Sequence, residues 1–186
     1  MELETKRLII RDFKKGDETE IFENISNPKV IQFIGSIPFP YTLKNAEEFV
    51  TNQVEEEKKN PRNNYDFAIT LKGEDKVIGG IAIKGISYFN LRGEIGYWLG
   101  EKYWRKGIMT EALKELLEFI FKELKLNRVD IDPIADNVAS NELIKKLGFN
   151  HEGVRKQYRK SRVTEKFYDS NQYGLLREDW LKSNSK

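Results

Sequence analysis

The 186-residue sequence contains no cysteine. That one absence removes disulfides, thiolate nucleophiles and cysteine-ligated zinc or iron–sulfur centres. There is a single histidine, His151, which argues against a Ser-His-Asp triad and a multi-histidine metal site. A carboxylate-only magnesium site stays formally open, but no metal is expected. No apolar run approaches the roughly 18 residues of a membrane helix. The opening MELETKRL is charged where a signal peptide would be apolar. The expected location is therefore cytoplasmic, with no membrane partner. Net charge is only +2, too small to indicate nucleic acid. Repeats, low-complexity stretches and linkers are also missing.

Hydrophobic residues make up 39% and aromatics 12%, enough for a real core. One domain over 1–182 is expected, with Ser183-Asn184-Ser185-Lys186 as a frayed tail. Apolar and β-branched runs predict strands at Arg7–Phe13, Tyr65–Leu71, Val77–Ile86, Glu94–Leu99, Arg128–Asp132, Asn150–Arg159 and Lys166–Leu175. Helical spacing predicts a helix after Gly16-Asp17 and a short one carrying Val30, Ile31, Phe33 and Ile34. A polar helix over Lys44–Lys59 follows a Pro-rich loop at 35–41. The strongest pattern runs from Met109 through Ala112, Leu113, Leu116, Leu117, Ile120, Phe121 and Leu124. Ala139–Leu147 and a segment around Trp180 complete the helices, with Gly148 as a C-terminal cap. The order β, helices, β-meander, α, β, α, β, β describes a mixed α/β sheet with helices on both sides.

Residues 97–113, YWLGEKYWRKGIMTEAL, pass from strand through a charged loop into that strongest helix. A helix start exposes unpaired N–H groups and partial positive charge. Gly107 permits close approach of a ligand, and Arg105 and Lys106 add full charge. This suits a phosphate or pyrophosphate. It is neither a P-loop nor a Rossmann fingerprint. On these residues alone, an ordinary strand–loop–helix with solvated basic side chains is an equal alternative.

The stretch closely resembles the pyrophosphate motif of the GNAT N-acetyltransferases, in particular their RimJ/RimL-like branch, the ribosomal-protein N-terminal acetyltransferases. LETKRLIIRDF (3–13), PYTLKNAEEF (40–49), ADNVASNELIKKLGF (135–149), HEGVRKQYR (151–159) and YDSNQYGLLREDW (168–180) extend the likeness along nearly the whole chain. The resemblance implies the GNAT fold, a mostly antiparallel mixed sheet flanked by helices. It also implies acetyl transfer from acetyl-CoA, as co-substrate, to an amine. The backbone of Trp98, Leu99 and Gly100 would pair with the pantetheine arm. Trp104, Arg105, Lys106, Gly107, Ile108, Met109 and Thr110 would form the pyrophosphate loop. Asn137, Ser140 and Asn141 would lie toward the thiol. Two departures stand out. Met109 occupies a position that is usually Gly or Ala, and a common catalytic Tyr is replaced by Ile144, leaving Ser140 as the residue near the thioester.

No activated nucleophile is visible, so direct attack by a neutral amine is expected. An α-amine with a pKa of about 7.7–8.0 is roughly one-tenth neutral at pH 7, whereas a lysine amine at about 10.4 is neutral less than one time in a thousand. Glu94 is the candidate base, with an ordinary paired strand carboxylate as the alternative. Ser140 is the candidate partner of the departing thiolate, with helix capping as its alternative. Phe33, Phe39, Tyr41, Glu94, Tyr168 and Asp169 are candidates for the acceptor cleft, although each aromatic also suits the core. The basic run 155–162 reads best as a solvated hairpin loop, and direct nucleic-acid binding is disfavoured. The expected acceptor is a protein N-terminus. A small molecule such as a polyamine or aminoglycoside, and a CoA-binding regulatory module without turnover, are the rival readings. Assembly as a homodimer is left open.

Overall fold

The structure, a computed structural model, describes residues 1–35 and 37–184. The first half contains β1 (Glu2–Glu4), β2 (Leu8–Asp12), α1 (Glu18–Ile25), α2 (Pro28–Ile31), α3 (Leu43–Glu56) and β3 (Tyr65–Leu71). Next come β4 (Gly79–Ser87), β5 (Arg92–Leu99), α4 (Ile108–Glu118) and β6 (Arg128–Ile131). The chain closes with α5 (Val138–Lys146), β7 (Asn150–Lys160), β8 (Phe167–Leu176) and α6 (Arg177–Asn184).

Among the described residues eight strands form one sheet in the order β1-β2-β3-β4-β5-β6-β8-β7. Every pairing is antiparallel except β5 with β6. Alternation along β3 shows how both faces are filled. Phe67 and Ile69 enter the core beneath α4, with Ala112, Leu113, Leu116 and Leu117. Ala68 turns to the opposite core, with Ile21, Ile25, Ile31, Ala46 and Val50 from α1, α2 and α3. The polar helix α3 is held at its start by Thr42, whose side chain accepts from Asn45 N–H while Asn45 accepts from Thr42 N–H.

The expected elements are present, with shifted edges. Strand β1 was not foreseen. It is three residues long and charged at both ends, as suits an exposed edge. Helix α2 stops at Ile31, and Phe33 and Ile34 lie in the turn that follows. Helix α4 ends in a wide turn over Phe119–Glu123, where Leu124 N–H reaches the Phe119 carbonyl. Ser183 and Asn184 belong to α6 rather than to a frayed tail. The remainder of the expected tail, 185–186, and Ser36 of the 35–41 loop lie outside the described residues.

Candidate active site

Strands β5 and β6 pair only over Arg92–Glu94. Strand β5 stays paired with β4 as far as Leu99, so beyond Glu94 the sheet forks and β5 has one free edge. The fork opens into a cleft of about 1430 Å³. Gly100 N–H donates to the Ile78 carbonyl at 2.9 Å. Antiparallel alternation then turns the backbone groups of Trp98 and Gly100 toward β4, and those of Tyr97 and Leu99 toward the fork. The Leu99 carbonyl already accepts the Trp104 indole N–H at 2.7 Å. Of the expected Trp98–Gly100 edge only Leu99 faces the fork, through its N–H, and it is joined there by the backbone of Tyr97.

At the far end of β5 the chain enters the charged loop. Arg105 (φ 58°) and Gly107 (φ 73°) are both left-handed, which brings successive N–H groups to one side. Gly107 precedes α4, which has no side-chain cap, so its first amides are left for an external acceptor. Trp104, Arg105, Gly107, Ile108, Met109 and Thr110 line the cleft. Ile108 and Met109 also pack into the core, which explains why a bulky Met is accommodated. Lys106 is not in the lining. Its Nζ lies 5.7 Å over the Tyr103 ring, and its carbonyl accepts from Arg7 Nη1 at 3.0 Å.

Glu94 sits at the crotch of the fork and faces Asp132 at the end of β6. Glu94 is open to solvent in the cleft, but the surrounding walls still partly desolvate its carboxyl and raise it above its ordinary pKa. The charge and hydrogen bond of Asp132 raise it further, Arg159 pulls the other way, and Asp130 adds to the rise. Arg159, from β7, ion-pairs with Asp132. A second cavity of about 460 Å³ adjoins this group, lined by Gly35, Glu94, Asp132, Arg155, Tyr158, Arg159 and Lys160. Asp132 and Arg159 were missed in the sequence. Asp132 reads there as the residue before a strand-ending proline, and Arg159 as one of a basic run.

Across the fork lies the start of α5. Asn137 caps it, accepting Ser140 N–H at 3.2 Å. Ser140 Oγ stands 2.6 Å from the Tyr97 hydroxyl. Burial holds the Tyr97 phenol up at about 12, against a smaller opposing effect of its bond to Ser140. Asn137 and Ser140 line the cleft, but Asn141 does not. Asn141 is 5% exposed and wholly engaged inside the fold. Its Nδ2 donates to the carbonyls of Ile134, Ala135 and Asn137, and its Oδ1 accepts from Asn171 and Tyr173. The expected ligand contact is thus a structural bracket.

Of the candidate acceptor residues, Phe33, Tyr41 and Glu94 line the cleft. Burial raises the Tyr41 phenol to about 12. Phe39, Tyr168 and Asp169 are not among the lining residues, which corrects their assignment. Phe39 is 41% exposed, Tyr168 bonds Thr164, and Asp169 clamps Lys156 and the Gln157 N–H. The basic run 155–162 is mostly strand β7 rather than loop. Lys156, Arg159 and Lys160 all have carboxylate partners, and Arg155 lies over Tyr158. His151 packs edge-on against Tyr173. Among the described residues no group of side chains suits a metal ion, and no helix is long and apolar enough to cross a membrane.

The family profile described as acetyltransferase (GNAT) domain matches residues 7–150. An uncharacterised N-acetyltransferase of Bacillus licheniformis is 30% identical over 180 residues, covering 96% of this chain and 97% of that protein. The ribosomal-protein-serine acetyltransferase of Escherichia coli is 38% identical over 84 residues, covering 45% of this chain and 47% of its own. Among solved structures, spermidine N-acetyltransferase from Vibrio cholerae, in complex with CoA and spermine, superposes with a TM-score of 0.81 at 17% identity. That match covers 95% of this chain and 99% of the other, and it bears on the fold alone. The forked sheet, the uncapped helix start and these likenesses agree: the chain is an acyltransferase that belongs to the GNAT acetyltransferase family, with ribosomal-protein acetyltransferases among its relatives.

Proposed function

We propose that this enzyme acetylates the α-amine of a polypeptide N-terminus in the cytoplasm, using acetyl-CoA, by direct attack of the amine. The observation that carries this reading is the fork itself. One strand bears the left-handed cradle at one end and Glu94 at the other, with a free edge between. The parts fit a long anionic co-substrate. The amides of Gly107 to Thr110 and the Arg105 side chain suit a pyrophosphate. The backbone groups of Tyr97 and the N–H of Leu99, turned toward the fork, suit an amide-bearing arm. Acetyl-CoA supplies a thioester whose carbonyl carbon accepts the amine.

Glu94 receives the amine proton. Its raised pKa makes it a better base than a glutamate of ordinary pKa. An α-amine is already about one-tenth neutral at pH 7, so one such base is sufficient help. The acceptor enters past Phe33 and Tyr41, on the Glu94 side of the strand.

A second reading, acetylation of a polyamine, has one observation in its favour. Glu48, Asp66, Asp130 and Asp136 line the same cleft and could receive further ammonium groups. Against it, Asp66 is paired with Lys84 and Asp130 with Arg128. Thiol release from acetyl-CoA separates the two readings, measured with peptides beginning in Ala or Ser beside spermidine and an aminoglycoside. Release with the peptides alone supports the proposal. Release with spermidine alone replaces it with the polyamine reading. CoA binding without release by any of these amines makes the chain a CoA-binding module and ends the proposal.

A further inference from the structure

Two facts about β5 combine. Glu94 and Tyr97 are three residues apart on one strand, so their side chains leave opposite faces of the sheet. The packing agrees. Trp98, which shares the Glu94 face, joins the core of α1 to α3, while Ile95, Tyr97 and Leu99 pack into the core beneath α4. A group lying in the fork would therefore meet a base from one face and the Tyr97–Ser140 pair from the other. That division suits displacement at a carbonyl, with the nucleophile's proton leaving on one side and the leaving group met on the other.

The pair is also directional. Among the described residues Tyr97 is the one hydrogen-bond partner of Ser140 Oγ. Either hydroxyl is able to donate, but the phenol is the more acidic and hence the stronger donor. With Tyr97 donating, Ser140 accepts and its own hydrogen is left for the cleft. Ser140 is fixed from behind as well, since its N–H is tied to Asn137 Oδ1. A hydroxyl that accepts one hydrogen bond is polarised into a better donor of the next.

From this geometry we infer that Tyr97 is a positioning residue for the leaving thiolate, acting through Ser140. The inference rests on the acetyl-CoA reading above. As the N–C bond forms and the C–S bond breaks, Glu94 takes the amine proton. The Ser140 hydroxyl donates a hydrogen bond to the electron pair left on sulfur. No proton crosses Ser140 or Tyr97, and the sulfur is protonated by solvent after release.

The test compares CoA with desulfo-CoA by calorimetry at pH 6.5 and pH 9, which brackets the ordinary thiol pKa of about 8.5. In the unaltered enzyme the preference for CoA over desulfo-CoA rises with pH as the thiolate forms. Tyr97→Phe, which keeps the ring in its core, should reduce that rise about 3- to 10-fold, because Ser140 loses the donor that polarises it and aims its own hydrogen at sulfur. Ser140→Ala should do the same, and the double variant should add little, because the two act as a unit. In turnover, Tyr97→Phe should lower kcat about tenfold and leave the KM for acetyl-CoA in place. An unchanged CoA preference in Tyr97→Phe overturns the inference. If that variant does not fold, an unchanged preference in Ser140→Ala overturns it equally. No binding of CoA by the unaltered enzyme removes the acetyl-CoA reading itself, and this inference with it.

Discussion

Arg7 Nε donates to Glu111 Oε2 at 2.7 Å, across 104 residues of sequence. The same carboxylate accepts from Thr5 Oγ1 and from the Arg7 backbone N–H, while Arg7 Nη1 holds the Lys106 carbonyl. The entrance to β2 is thereby tied to the first turn of α4 and to the loop before it. Burial by itself would raise the Glu111 carboxyl. The bonds from Thr5 and Arg7 outweigh it and hold the group below its ordinary value.

This clasp should govern affinity for the co-substrate rather than chemistry. Glu111→Gln keeps the shape but weakens the charge-assisted bonds, and Arg7→Ala frees the Lys106 carbonyl. Either should weaken CoA binding about 5- to 10-fold by calorimetry, with kcat at saturation nearly unchanged. The pH sign follows from a lowered carboxylate. Its stabilisation is present above the unfolded pKa and is lost as pH falls through the lower folded value. Thermal unfolding between pH 7 and pH 3 should show less acid sensitivity in Glu111→Gln than in the unaltered protein. Equal sensitivity would exclude this role.

Glu94 is raised, so the sign reverses. A base held above its ordinary pKa loses its competent form earlier as pH falls. The acid limb of kcat should therefore lie above that of a normal glutamate. The groups that set it are distinguishable. Asp132→Asn removes a neighbouring negative charge and should move the limb to lower pH. Arg159→Ala removes the opposing cation and should move it to higher pH. Glu94→Gln should cut kcat by 10²- to 10⁴-fold, the usual worth of a general base, with CoA affinity intact. A profile that ignores all three substitutions would exclude Glu94 as base.

The sequence exposes most of the fold because its signals are local. The apolar stripe from Met109 to Leu124 and the meander of β3, β4 and β5 each state their own periodicity, and both lie where expected. Strand β1 was hidden because the alternation of Glu-Leu-Glu is too short to register as a strand pattern. The site divides in the same way. The cradle is contiguous, so residues 104–110 announce it. Asp132, Arg159 and Tyr97 become functional neighbours only through the β5/β6 fork and the reach of β7, and spacing records neither. Asn141 shows the converse. A polar residue in a recognised motif looks like a ligand contact until its five hydrogen bonds are traced inward.

Gly107 offers a sharper probe of the cradle. Its φ of 73° is costly for a residue with a side chain, by roughly 1 kcal/mol. Space is not the obstacle, since a Cβ there meets only Arg7 Nη2 at 3.6 Å. Gly107→Ala should therefore leave the core folded but bias the loop away from the left-handed turn. CoA affinity should fall roughly fivefold or more, while a fragment ending at the pantetheine, without the pyrophosphate, should bind as before. Equal losses for both ligands would mean that the loop does not hold phosphate.

Asn141 separates a structural from a ligating role. Replacing it by Ala strands the Ile134 carbonyl, Asn171 Nδ2 and the Tyr173 hydroxyl in a buried setting. Each orphaned group costs on the order of 1–3 kcal/mol, offset where water can enter. A net loss of about 2–4 kcal/mol would lower Tm by roughly 4–16 °C for a chain of this size. Asn141→Asp should be worse than its shape suggests, because a carboxylate cannot donate to the three carbonyls that now face Nδ2. Measured well below the lowered Tm, CoA affinity of Asn141→Ala should stay within about threefold of the unaltered protein, since the side chain does not reach the cleft. The opposite pattern, an unchanged Tm with a large loss of CoA affinity, would return Asn141 to the binding site and require the start of α5 to open toward the ligand.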